Sequence, residues 1–184
     1  MIRMSPKMKK ITPLTPKNIL RAISAYEAEI EHLKLGDMVG YELVRRVKRD
    51  QFGQGPYPNV TFFESANLIM TDLVILYGIK ELIDSKSYPD IVHYHVEYGN
   101  ENNRPHDIMG VDAQENLVFI AEAFNVSQKY FSTKRRQAEN KLQNTKEPAK
   151  YRAIIYNEDA NLNTVHVNEN IRHIVVNLND RKST

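Results

Sequence analysis

The 184 residues carry 25 Lys and Arg against 23 Asp and Glu, a net charge of +2, with 41% hydrophobic residues and no cysteine. An ordinary core is available, disulfide scaffolds and cysteine-based zinc sites are excluded, and no apolar run reads as a membrane span. The basic start, MIRMSPKMKK, lacks the apolar stretch of a secretion signal, and the expected location is a reducing cytoplasm.

The chain reads as a single domain over 1–184, with an N-terminal helical arm and loop at 1–58 and a core at 62–178. Residues 1–14 look like a basic, poorly ordered arm. Thr15-Pro16 then opens a helix, with Thr15 as cap, that carries Ile19, Leu20, Ile23, Tyr26, Ile30 and Leu33 at helical spacing and stops at Gly36. Residues 38–49 predict a second helix with a basic end, followed by the glycine- and proline-rich loop 51–58. Glycines beside Arg45 and Arg46 would let backbone approach phosphate; a solvated helix end is the plainer meaning of the same residues.

Phe62 to Asp84 is the longest helical pattern, apolar on more than one side and therefore buried between layers. Its acids are Glu64, in the opening turn where the helix dipole favours a carboxylate, and Asp72, unexpected in so apolar a stretch. Asp90–Tyr98 alternates as a strand. His93 and His95 share one face of it, but no third ligand is evident beside them, so they read as solvent-facing. Residues 106–111 and 117–124 form two more strands about the polar turn Asp112–Asn116, completing an antiparallel meander. A helix capped by Ser127 follows to about residue 144. From Lys129 to Lys150 seven basic residues, Lys134, Arg135 and Arg136 among them, stand against two Glu, a charge run suited to a solvated face or to a phosphate backbone. Tyr151–Tyr156, a polar connection at 157–163 and Ile171–Leu178 close the chain. The order predicts an α/β fold: a mixed central sheet, antiparallel meander plus crossover strands, flanked by helices.

Pairing the second and third strands with Asp112 facing Leu117 sets Asp107 directly opposite Glu122. Two facing carboxylates on an apolar surface repel and lose hydration. A divalent cation is the simplest compensation, and Mg²⁺ takes one or two carboxylates together with phosphate oxygens and waters.

An acid opening the second core strand (Asp107), an acid on the third (Glu122 in Glu122-Ala123-Phe124) and an acid on the preceding helix (Glu64) resemble the PD-(D/E)xK nuclease superfamily, whose fold is restriction-endonuclease-like. The resemblance spans about 62–178. Phe124 occupies the place of the family's lysine, and Lys129, then Asn125, are the nearest substitutes. The whole chain is similar to the small catalytic subunits of heterodimeric type IIS restriction endonucleases. That resemblance implies a DNA endonuclease dependent on Mg²⁺ (Mn²⁺ substituting), held by Asp107, Glu122 and the Ala123 carbonyl. Glu64 would bind a second ion or orient water, and Lys129 would stabilise charge on the phosphate. A larger subunit would recognise the site on double-stranded DNA, in keeping with the low net charge and the lack of a recognition motif. Rival readings are a homodimeric nuclease such as a Holliday-junction resolvase, and a non-catalytic binding relative, for which Phe124 argues.

Overall fold

The computed structural model describes residues 13–99, 103–160 and 170–179. Most of the basic arm at 1–14, part of the connection after Asn157 and the last residues lie outside them. The elements are α1 (Ile19–Ile30), α2 (Gly40–Lys48), α3 (Phe62–Asp84), β1 (His93–Val96), β2 (Ile108–Val111), β3 (Leu117–Phe124), α4 (Gln128–Gln143), β4 (Tyr151–Asn157) and β5 (Arg172–Val176).

The five strands lie in sequence order, β1-β2-β3-β4-β5. The first three form the expected antiparallel meander, and β4 and β5 add in parallel. Parallel neighbours require a crossover, which α4 supplies between β3 and β4. Central β4 is buried from Ala153 to Asn157, as a strand covered on both faces must be. On one face α3 and α1 pack against Phe119, Ala121, Ala123, Ala153 and Ile155. On the other, Phe131, Ala138 and Leu142 of α4 pack against Ile120, Phe124, Ile154 and Tyr156. Gly78 brings α3 close to the sheet: a Cβ there would stand 2.5 Å from Ile155 Cγ2.

Three expectations need correction. The first concerns the N-terminal arm, because α1 belongs to the core. Ile19, Ala22, Ile23 and Tyr26 are buried with α3, and Leu14 exchanges backbone hydrogen bonds of 2.8 Å with Tyr94 at the outer edge of β1. Helix α2 alone has no buried residue. The second is the caps. Asn18, not Thr15, precedes α1, with its side chain turned back to the Thr15 N–H, and Ser127 precedes α4 but its hydroxyl caps nothing. The third is length. Helix α3 is long and apolar enough to cross a membrane by composition, yet its buried flanks are those of a core helix between α1 and the sheet.

Candidate active site

The register pairs Ile108 with Ala121, Met109 with Ile120 and Gly110 with Phe119. Asp107 stands just before the first pair and Glu122 just after it on the other strand, with Asp107 tied to β3 through the Ala123 N–H. The register does not continue to Asp112 and Leu117. A bulge after Gly110 pairs Val111 with Leu117, and the extra residue is absorbed in β3. The turn itself is closed by Asp112 N–H donating to the Asn116 carbonyl at 3.0 Å.

The two acids sit at the end of the sheet where β2 begins and β3 ends. Asp107 Oδ2 accepts the Ala123 N–H at 2.8 Å, and Oδ1 makes no hydrogen bond among the described residues. Glu122 is nearly buried and has both oxygens engaged. Lys141 Nζ donates to Oε2 at 2.7 Å, and His106 Nδ1 donates to Oε1 at 2.7 Å. The other ring nitrogen of His106, Nε2, lies 2.9 Å from Thr145 Oγ1, which fixes the ring. Burial and the Glu122 charge push the Asp107 carboxyl up to about 6, against the opposing pull of the Ala123 N–H, Lys141 and His106. Lys141 and His106 offset part of the repulsion between the two carboxylates.

The pair opens into a polar cavity of about 270 Å³ lined by Asp107, Glu122, Lys134, Gln137 and Lys141. Across a shared wall of Ala123, Phe124, Lys134 and Gln137 lies a cleft of about 670 Å³ between Asn67, Leu68 and Thr71 of α3 and Ser127, Tyr130 and Thr133 of α4. The acids therefore line a polar cavity against α4, next to the cleft between the two helices.

Lys129 is not part of this site. It lies on the first turn of α4 with its ammonium 5.6 Å from the Tyr130 ring centre, and it lines neither cavity. Lys141, which the sequence reading counted only as one of seven basic residues, is the cation on the carboxylates. Phe124 is nearly buried, stacked 5.9 Å from Tyr156 and tilted against Phe131 at 6.2 Å, so it serves packing under α4. His106 was also missed; its place directly before Asp107 was the available signal.

Glu64 does not reach the pair. It shares a helix face with Asn67, Leu68 and Thr71 but sits a turn outside them, and its carboxylate accepts the Thr61 N–H at 3.0 Å in a capping box. That bonding holds Glu64 below the usual carboxylate range. Asp72, the other helix acid, is fully enclosed. Its Oδ2 accepts Tyr26 Oη–H at 2.6 Å and Tyr57 Oη–H, and Gly99 N–H points to Oδ1 at 3.3 Å. Burial pushes Asp72 up to about 7.

Of the residues expected to meet DNA, only Lys134 lines the cavity and the cleft. Arg45 pairs with Asp50 at 3.1 Å, and Arg46 donates to the Gln51 and Phe52 carbonyls, fastening the loop after α2. Arg135 pairs with Glu139 at 3.2 Å on the flank facing β5, and Arg136 is exposed away from the sheet. The zinc reading of His93 and His95 was set aside for want of a third ligand, but Glu115 stands beside them. Comparison with protein-family models, with curated proteins and with solved structures finds no match.

Proposed function

We propose that this chain is the catalytic small subunit of a two-subunit DNA endonuclease with a restriction-endonuclease-like core. It hydrolyses phosphodiester bonds in one strand of double-stranded DNA, dependent on Mg²⁺, and a larger partner recognises the site. The observation that carries the reading is that Asp107 and Glu122 line one polar cavity against α4, with Lys141 in ion-pair contact with Glu122.

The donor set suits a hard divalent cation. Asp107 and Glu122 offer carboxylate oxygens, and in an extended strand the N–H and C=O of one residue point to the same side, so the Ala123 carbonyl shares the edge from which its N–H meets Asp107. Manganese fits the same set. The chemistry such an ion supplies when bound is polarisation of the scissile phosphate and acidification of a water.

The chain's own groups do the rest. Asp107 is charged above about 6, so the ligand set is complete at neutral pH. His106 holds one oxygen of Glu122 and thereby its carboxylate plane. Lys141 presents a cation at the cavity wall, where it stabilises charge developing on phosphate oxygens. Lys134, between the two cavities, meets the backbone of the strand lying in the cleft. The exposed apolar side chains of α2 and the residue before it, Val39, Tyr41 and Val44, are a surface for the larger subunit.

The test is Mg²⁺-dependent cleavage of plasmid DNA by the chain alone, by the chain with the products of its neighbouring genes, and by Asp107→Ala and Glu122→Ala variants. Cutting that needs a partner and is lost in both variants is expected. Cutting by the chain alone moves the assignment to a self-sufficient nuclease, and undiminished cutting by both variants removes the carboxylate pair as the site.

A further inference from the structure

A separate set of ligating atoms lies on the edge strand. His93 and His95 alternate with Tyr94 and Val96, which are buried in the α1–α3 core, so both imidazoles leave the sheet on the opposite face. Their Nε2 atoms are 3.3 Å apart, with the ring planes at 86°. Glu115, from the turn between β2 and β3, brings Oε2 to 3.6 Å from His93 Nε2. One ligating atom from each of the three residues lies within 4.8 Å of the others.

The spacing of the two histidines is that of neighbouring ligands in a coordination shell. Nitrogens about 2.0–2.1 Å from a tetrahedral zinc ion stand about 3.3 Å from each other. The third ligand does not depend on a loose loop. Asp112 Oδ1 accepts the N–H groups of Gln114 and Asn116 at 2.9 Å, and Asp112 Oδ2 accepts the Asn116 amide at 3.1 Å. Within that closed turn Glu115 holds a left-handed φ of 62°, uncommon for a residue other than glycine, and this conformation accompanies the approach of its carboxylate to the histidines. Arg104, whose charge reaches His95, opposes a cation there.

We propose that His93, His95 and Glu115 bind Zn²⁺, three protein ligands with water completing the shell. Imidazole nitrogens with one carboxylate select a borderline transition ion over Mg²⁺, the reverse of the oxygen-only set at Asp107 and Glu122. The ion ties the β2–β3 turn to edge strand β1 and so steadies β2, the strand that Asp107 precedes. This site does not depend on the nuclease reading.

Equilibrium dialysis of the full chain against ZnCl₂, with metal analysis, measures it directly. One ion per chain is expected, with a dissociation constant of micromolar order or tighter. His93→Gln, His95→Gln and Glu115→Gln each weaken uptake at least about tenfold. Bound Co²⁺ shows the intense visible absorption of a four-coordinate ion. Glu115 is 71% exposed, so its substitution has no packing to lose and reports on ligation alone. Absence of saturable uptake by the wild-type chain overturns the site, as does uptake that survives all three substitutions.

Discussion

Lys129 and Lys141 are separated by about 18 Å along α4 and by about a third of a turn around it. At 100° per residue, Phe131, Ala138 and Leu142 define the face toward the sheet. Lys134 and Lys141 fall together on one flank of that face, whereas Lys129 and Arg136 fall near its back. Proximity in sequence to Glu122 pointed to Lys129; helical phase selects Lys141. In the reconstituted cleavage reaction, Lys141→Ala is expected to lower the rate about 100-fold or more, the usual cost of removing one preorganised charge from a transition state. Lys129→Ala should change it by no more than about twofold. A rate that responds to Lys129 and not to Lys141 reverses the assignment.

Helix α3 shows how an element can carry a polar group through an apolar core. The pattern from Phe62 to Asp84 gave its length, and Thr61 with Glu64 fixes its start through reciprocal capping hydrogen bonds. Asp72 survives in its middle because Tyr26 of α1, Tyr57 of the preceding loop and Gly99 beyond β1 all bring donors to it, which ties three segments to the helix. A Cβ at Gly99 would stand 2.5 Å from the Tyr57 ring, so only glycine allows that approach. Because the folded carboxyl titrates near 7, above its ordinary range, the folded state holds the proton more tightly than the unfolded chain does. Its contribution to stability is therefore full below the ordinary carboxylate range and is lost as pH rises through about 7, an effect of the order of a few kcal/mol. Melting temperature measured from pH 5 to 8 should fall more steeply for the wild type than for Asp72→Asn, which keeps the shape but cannot ionise. Parallel slopes for the two proteins would show that Asp72 does not titrate in this range.

For the whole molecule, a net charge of +2 and a cavity and cleft whose cations are chiefly Lys134 and Lys141 leave little to grip DNA unaided. Fluorescence anisotropy of the chain alone on a labelled duplex should give weak binding, with a slope of log K against log salt of about −2 to −3. A slope near −6 or steeper would mean that the chain carries its own DNA-binding surface and that recognition need not come from a partner. The N-terminal segment bears on the same question. Since α1 is built into the core under α3, α2 and its flanks are the part of the described N-terminal segment left exposed to a second protein.

Periodicity carried much of the architecture: a 3.6-residue repeat over α3, alternation over β1, and two strands about a polar turn, in a register that held from Ile108 to Gly110. Those features depend on residues near one another in the chain. What the sequence could not carry were relations between distant segments whose local patterns are ambiguous. The bulge at Val111 depends on how the turn closes; the Lys141 and His106 contacts to Glu122 depend on where α4 and the start of β2 dock; and the meeting of Glu115 with His93 and His95 depends on both turn and pairing. A one-dimensional pattern tells which face a side chain takes within its own element. Which side chain from another element arrives there is decided by packing of the whole, because burial of apolar area sets the docking and polar partners must then be met at whatever distance results.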